Sequence, residues 1–225
     1  MKHNIIATGS TGNALVLNDY ILIDCGVSFK ALKDVYKNLK IVLLTHIHGD
    51  HFNKTTISRL AKERPTLRFA CCEWLVADLV ACNVSKRNID VLSVGNLYNY
   101  GLFKISPIQL YHDVPNAGYR IFIGDKKALY ATDTGHLQGI TAEGYDLYLV
   151  EANYSEDEIQ ERIREKQATG QYCYETGVIG RHLSHEQASE FILANMKPDS
   201  EYVFLHGHVD KSEKPEDWGY EDESL

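Results

Sequence analysis

Short apolar runs alternate with turn-forming residues at the start of the chain, a pattern that predicts short β-strands. Residues 41–44 (Ile-Val-Leu-Leu) form a further apolar run, which predicts a strand buried on both faces. Before that run, residues 28–39 place apolar side chains at helical spacing behind Ser28, so we expect a helix with Ser28 as its N-cap. The strands expected in this region cover residues 5–7, 14–17, 20–23 and 41–44.

The rest of the chain continues this mixture, with most of its strands in the middle third. The pattern predicts strands over residues 67–70, 91–94, 102–111, 119–123, 128–132, 146–150 and 202–205. It predicts helices over about 55–64, 73–82 and 156–168, and a last helix that starts at Ser184. Gly124-Asp125 indicates a hairpin between two neighbouring strands. Strands at both ends of such a pattern predict a layered α/β domain.

Length, charge and cysteine content favour one reduced, globular domain. We expect a single domain over residues 1–210 of the 225-residue chain and an acidic tail over residues 211–225. Residues 213–225 hold six acids and one lysine, which is −5 of the formal net charge of −8. The five cysteines are an odd number without C-x-x-C spacing, which argues against a disulfide framework. Because the sequence shows neither a secretion signal nor a long apolar run, we expect a cytoplasmic protein without a membrane segment.

The strongest chemical signal is a cluster of imidazole and carboxylate groups directly after the apolar run at residues 41–44. His46, His48, Asp50 and His51 fall within six residues of a predicted loop, where they can converge on one small volume. Imidazole nitrogen and carboxylate oxygen are the ligand types of hydrolytic zinc or manganese. The sequence therefore predicts a metal site in this loop.

The cluster resembles the signature H-x-H-x-D-H of the metallo-β-lactamase superfamily, which residues 46–51 match at every position. The resemblance spans about residues 5–210. It implies an α/β (α+β) fold, a four-layer αββα sandwich in which two mixed β-sheets pack face to face with helices outside.

Other landmarks of the superfamily follow in order along the chain. Asp24 is similar to the aspartate that orients the signature loop, His112 to a further metal ligand, and Asp133 to the carboxylate that bridges two metals. A histidine after the last strand completes the set. Both His206 and His208 follow that strand, and the resemblance of residues 207–210 to the family's ending favours His208.

The resemblance thus implies two divalent metal ions, zinc or manganese, held by overlapping sets of ligands. The first ion would be held by His46, His48 and His112, the second by Asp50, His51 and the terminal histidine, with Asp133 between them. Two ions roughly 3.5–4 Å apart supply a hydroxide at neutral pH and stabilise both the attacking and the leaving oxygen. Asp50 would also orient that hydroxide.

Three further segments are similar to the YycJ-like group of the superfamily and, more distantly, to ribonuclease Z. They are residues 8–13, residues 111–119, and residues 181–185, the last of which departs from the group's pattern at two positions. The resemblance implies a phosphodiesterase or nuclease that acts on DNA or RNA. It also implies that Glu151 and His182 form a pair that donates a proton to the leaving oxygen, because a carboxylate beside an imidazole favours the imidazolium.

Two other functions stay open at this stage. A small-molecule hydrolase, such as a thioesterase, lactonase or cyclic-nucleotide phosphodiesterase, would use the same metals without the Glu151–His182 acid. A non-catalytic member of the superfamily would only bind metal or a partner, although the intact set of ligands argues against it. The sequence does not distinguish oligomeric states.

Overall fold

The computed structural model of the protein describes residues 1–207, which form two six-stranded β-sheets with helices on their outer faces. Each sheet is mixed, with both parallel and antiparallel neighbours. The first has the order β1-β2-β3-β4-β5-β6, and the second has the order β12-β11-β10-β9-β8-β7. The chain therefore completes one sheet before it starts the other. The predicted acidic tail and His208 lie outside the described residues.

The strands of the first sheet are β1 (His3–Ala7), β2 (Ala14–Leu17), β3 (Ile21–Ile23), β4 (Ile41–Leu44), β5 (Arg68–Cys72) and β6 (Ile89–Leu92). Those of the second are β7 (Tyr98–Asn99), β8 (Lys104–Leu110), β9 (Asn116–Ile123), β10 (Lys126–Ala131), β11 (Leu147–Glu151) and β12 (Glu201–Leu205). The α-helices are α1 (Lys54–Glu63), α2 (Val76–Ala81), α3 (Glu156–Thr169), α4 (Glu175–Ile179) and α5 (His185–Asn195). The hairpin predicted at Gly124-Asp125 is confirmed, because it joins β9 to β10.

Strand alternation explains why both faces of each sheet are covered. In β4, Ile41 and Leu43 point into the core between the two sheets, whereas Val42 and Leu44 pack in the core beneath α1 and α2. In the second sheet, Leu149 faces the other sheet and Val150 packs against Ile192 of α5. Successive side chains of a strand point to opposite faces, so an unbroken apolar run requires cover on both sides. The four-layer αββα sandwich expected from the sequence is confirmed.

The prediction of a helix over residues 28–39 is wrong. The structure has a single 3₁₀ turn, Phe29–Leu32, followed by further turns up to residue 38. Ser28 makes no capping bond with its side chain, and most backbone bonds here join residues three apart, such as Lys33 N–H to the Lys30 carbonyl. The apolar positions still bury Leu32 and Leu39 against the first sheet. The spacing of three and four residues is therefore met by successive tight turns as well as by an α-helix.

Asp146, which precedes β11, holds a buried carboxylate between two lysines. Its oxygens accept hydrogen bonds from the Lys197 ammonium at 2.7 Å, the Lys126 ammonium at 3.0 Å and the Lys127 backbone N–H at 2.8 Å. Burial raises the pKa of Asp146, but these hydrogen bonds outweigh it and hold the pKa well below its usual value. Asp146 therefore stays ionised in the folded protein at a pH where the unfolded chain has already taken up the proton.

Because its folded pKa is depressed, Asp146 should stabilise the fold above about pH 4 and lose that contribution as the pH falls. We expect Asp146→Asn to lower the free energy of unfolding at pH 7 by roughly 1–2 kcal/mol. This is less than the free energy that corresponds to the full pKa shift, because solvent screens the partly exposed lysines. The deficit should shrink towards pH 2. Urea unfolding at several pH values measures it, with the exposed Asp125→Asn as the control. A deficit that is constant with pH would contradict this account.

Within residues 1–207, no helix combines the length and the apolar character needed to cross a membrane.

Candidate metal centre

The histidine-rich loop lies between β4 and α1 and is fixed by the segment that follows β3. The Cys25 N–H donates to the His51 carbonyl, and the Asn53 N–H donates back to the Cys25 carbonyl. At Gly26 the two segments touch so closely that a Cβ atom would lie 1.7 Å from the Asp50 carbonyl oxygen. Only glycine fits there. Asn53 then caps α1 through the Thr56 N–H, so the loop is anchored at both ends.

Asp24 lies directly beneath this loop with its carboxylate fully buried. One oxygen accepts hydrogen bonds from the backbone N–H of Thr45 at 3.0 Å and from its hydroxyl at 2.9 Å. The other oxygen lies 2.7 Å from His51 Nδ1 and accepts a hydrogen bond from the Tyr130 hydroxyl at 3.0 Å. With Nδ1 bonded to Asp24, Nε2 of His51 is left to face the cluster. A carboxylate behind a ligating histidine orients the ring and raises its basicity.

The second sheet contributes side chains from the ends of four strands. Strands β8, β10, β11 and β12 run in the same direction, because β9 is antiparallel to both β8 and β10 while β10, β11 and β12 are parallel. Their carboxyl ends therefore meet at one edge of the sheet. His112, Asp133, Glu151 and His206 lie at or just after these ends. This edge faces the histidine-rich loop of the first sheet.

The two sets of side chains converge on one cluster. Asp133 is central, since its carboxylate lies 2.8 Å from His51 Nε2, 3.5 Å from His206 Nε2 and 3.9 Å from His112 Nε2. On the other side, His46 Nε2 lies 3.2 Å from His48 Nδ1. Asp50 lies 3.3 Å from His206 Nε2.

Among residues 1–207, four overlapping groups in this cluster have ligand atoms within 4.8 Å of one another, close enough to surround a metal ion. They are His46–His48–His112, Asp50–His51–His206, His46–His51–Asp133 and Asp133–Glu151–His182–His206. The donor set of imidazoles and carboxylates suits zinc or manganese. The residues present therefore fit divalent metal ions.

Burial and mutual charge shift the titration of these groups. Burial, together with the neighbouring His51, lowers the pKa of His46 to about 2, so His46 is a neutral imidazole. Burial also lowers the pKa of His112. Burial alone would lower the pKa of His51, but Asp24 and Asp133 outweigh it and raise that pKa well above its usual value. In return, and against the effect of burial, His51 keeps the pKa of Asp133 well below its usual range.

The structure brings His206 into the cluster. Its ring is buried, and its backbone lies in the left-handed region with a φ of +54°. The Asn153 side-chain amide donates to the His206 carbonyl at 2.9 Å, and the Thr8 hydroxyl accepts from the His206 N–H at 2.7 Å. His208, which the sequence favoured, lies outside the described residues. Of the two candidates, His206 is thus the one for which the structure gives a place beside Asp50 and Asp133.

Glu151 and His182 form a close pair beside the same cluster. Glu151 Oε1 lies 2.5 Å from His182 Nδ1, and Oε2 accepts the Thr134 N–H at 3.0 Å. Glu151 is fully buried, and burial raises its pKa although His182 opposes this. His182 also lies 3.6 Å from Asp133. Since Nδ1 faces Glu151, the other nitrogen of His182 is the one available to other groups.

Several residues to which the sequence analysis assigned no individual role support the cluster. Asn13 places its amide 2.8 Å from His51 Nε2 and 3.3 Å from Asp50. The Asn116 amide donates to the backbone carbonyls of Thr132 and Asp133, which turns the chain at Asp133, where φ is +56°. The hydroxyls of Tyr130 and Tyr119 cross the core to Asp24 and to the Leu44 carbonyl. A buried amide or tyrosine gives no periodic signal in a sequence.

Comparison with family models matches most of the chain to one family. The family model described as "Beta-lactamase superfamily domain" matches residues 19–210. Among curated proteins, none matches the sequence.

Solved structures match the fold closely at low sequence identity. The metallo-beta-lactamase fold protein YhfI from Bacillus subtilis has a TM-score of 0.70 at 17% identity and covers 92% of this chain and 86% of its own. Human tRNase Z, short form (ELAC1), has a TM-score of 0.66 at 14% identity, and the match covers 92% of this chain and 93% of the tRNase Z chain. Zn²⁺-bound PqqB from Methylobacterium extorquens has a TM-score of 0.64 at 14% identity, and the match covers 92% of this chain and 89% of the PqqB chain.

Proposed function

The chain belongs to the β-lactamase superfamily domain family, and we propose that it is a metal-dependent phosphodiesterase that cleaves nucleic acid. The family and the geometry together give a hydrolase fold with a cluster able to bind metal. The similarity of the fold to human tRNase Z supports nucleic acid as the substrate class. The observation that carries the proposal is the Glu151–His182 pair beside the cluster.

The ligands of the proposed centre come from both sheets. His46, His48 and His112 would hold one divalent ion, and Asp50, His51 and His206 the other, with Asp133 shared between them. Such ions, when bound, supply an activated water and neutralise charge on a phosphate. Asp24 holds the His51 ring through Nδ1, which leaves Nε2 as the nitrogen that can bind the ion. The chain therefore determines the direction in which the ligands point.

The Glu151–His182 pair matches the demands of phosphodiester cleavage. Breaking a phosphodiester expels an alkoxide, which needs a proton as it leaves. His182 is partly exposed, with 15% of its side chain accessible, whereas Glu151 behind it is fully buried. The imidazole can therefore hold a proton at its outer nitrogen and give it to the leaving oxygen while Glu151 keeps the ring in place. A lactone or a thioester needs this proton less.

A panel of substrates tests the proposal. With Mn²⁺ or Zn²⁺ added, we expect the purified protein to hydrolyse bis-p-nitrophenyl phosphate and labelled DNA or RNA, and to lose this activity in EDTA and regain it when the metal is returned. The same preparation should hydrolyse a lactone and a thioester far more slowly. Faster turnover of the lactone or the thioester would assign a small-molecule hydrolase. A protein that binds metal yet turns over none of the substrates would be a non-catalytic member of the family.

A further inference from the structure

Arg181 lies at the rim of the proposed metal centre and has no part in the roles assigned above. Its backbone carbonyl accepts a hydrogen bond from His112 Nδ1 at 3.0 Å, so Arg181 is joined directly to a proposed ligand. Its side chain is 43% exposed. Resting on the proposed function, we propose that Arg181 binds a phosphate of the nucleic acid next to the one that is cleaved.

The structure holds the guanidinium in one place. Arg181 Nε donates to the Gly177 carbonyl at 2.7 Å, and Nη1 donates to Asp113 at 3.0 Å. Gly177 leaves room for this arrangement, because a Cβ atom there would lie 2.9 Å from Arg181 Nη2. A guanidinium fixed in advance loses less side-chain entropy when it binds an anion.

Donors remain for a ligand. A guanidinium carries five N–H groups. Within residues 1–207, the hydrogen bonds to Gly177 and Asp113 use two of them, and the structure gives the other three no partner. Because the side chain is partly exposed, these donors can reach an anion from solvent, and a phosphate oxygen pair matches the guanidinium fork.

The position of Asp113 indicates which phosphate this would be. One Asp113 oxygen accepts from Arg181, and the other lies 3.2 Å from His112 Nε2 and 3.4 Å from His48 Nε2. The carboxylate thus separates the guanidinium from the nitrogens of the proposed centre. A phosphate at the centre would be screened from Arg181 by this negative charge, so the arginine meets the adjacent phosphate. A diester that carries only one phosphate has no adjacent phosphate for Arg181 to bind.

The test compares substrates that differ by one phosphate. Dinucleotides with a single internal linkage are compared with the same dinucleotides that carry a 5′- or a 3′-terminal phosphate, in the thymidine and uridine series. For the wild type we expect one of the terminal phosphates to raise kcat/KM by about 10- to 100-fold, mainly through KM, as a charged hydrogen-bond pair does. Arg181→Gln should remove most of this gain, and Arg181→Lys should keep part of it.

Controls separate this inference from the proposed function. Arg120→Gln removes a positive charge that lies on β9 and is bonded to Thr141, and it should keep the gain. Metal content and thermal unfolding of Arg181→Gln show that the centre and the fold persist; loss of the metal would mean that Arg181 acts by supporting His112 and would overturn the inference. A gain that survives in Arg181→Gln, or a wild type without any gain, would overturn it as well. If the wild type cleaves no dinucleotide or longer nucleic acid, the proposed function fails and the inference with it.

Discussion

Replacing Asp133 with alanine should abolish hydrolysis of every substrate and lower the bound metal from the two ions that we propose to one or none. The Asp133 carboxylate lies near both proposed ligand sets, 2.8 Å from His51 Nε2 and 3.9 Å from His112 Nε2. Alanine removes the group that both ions would share. The buried histidines around it would also lose the charge that balances them.

Two measurements decide this prediction. Elemental analysis of the purified variant gives the metal content, and the shift in melting temperature on addition of Mn²⁺ or Zn²⁺ gives binding without reference to activity. Asp125→Ala, an exposed aspartate in the β9–β10 hairpin, is the matched control and should behave like the wild type. An Asp133→Ala protein that is folded, holds two ions and remains active would remove Asp133 from the centre.

Replacing His182 with alanine should slow cleavage of nucleic acid by about 10²–10⁴-fold, the usual contribution of a general acid. The effect should depend on the leaving group. A nucleoside alkoxide needs a proton as it departs, whereas p-nitrophenolate is stable without one at neutral pH, so bis-p-nitrophenyl phosphate should lose much less. Rates on both substrates at saturating metal measure this difference.

The same variant distinguishes a proton donor from a metal ligand at His182. Its ring lies with Glu151, Asp133 and His206 in one of the groups that could surround an ion, so it could act as a ligand instead. A ligand would, when removed, lower metal content and slow both substrates equally. His185→Ala removes a histidine at the start of α5 that lies outside these groups and serves as the control. Equal losses on the two substrates would contradict the assignment of His182 as proton donor.

Much of the fold could be predicted from the sequence because local patterns of apolar and turn-forming residues mark the strands. Apolar runs and turn residues located most strands to within a few positions, for example β4 at Ile41–Leu44 and β10 at Lys126–Ala131. The resemblance around residues 46–51 supplied the layer order that periodicity cannot give. The pattern failed at residues 28–39, where tight turns bury the same positions that a helix would bury.

The candidate site was only partly accessible to sequence reasoning. Ligand types at strand ends were visible, but the position of His206 beside Asp50 and Asp133 depends on the path of the backbone after β12, which the sequence pattern does not give. Asn13 and Asn116 lie in two of the segments that are similar to the YycJ-like group, but their supporting role could not be predicted, because it depends on contacts between residues distant in the chain. The Arg181–Asp113 pair, 68 residues apart, is of the same kind.

The two tyrosine hydroxyls that cross the core affect how the sandwich can move. Tyr119 reaches the Leu44 carbonyl at 2.5 Å and Tyr130 reaches Asp24 at 3.0 Å, and both acceptors lie next to the histidine-rich loop. These bonds pin one layer to the other at the edge that carries the site, whereas apolar contacts between the layers are non-directional and allow sliding. Motion of one sheet relative to the other should therefore pivot about this edge. The distance between the ligands from the first sheet and those from the second sheet should change least.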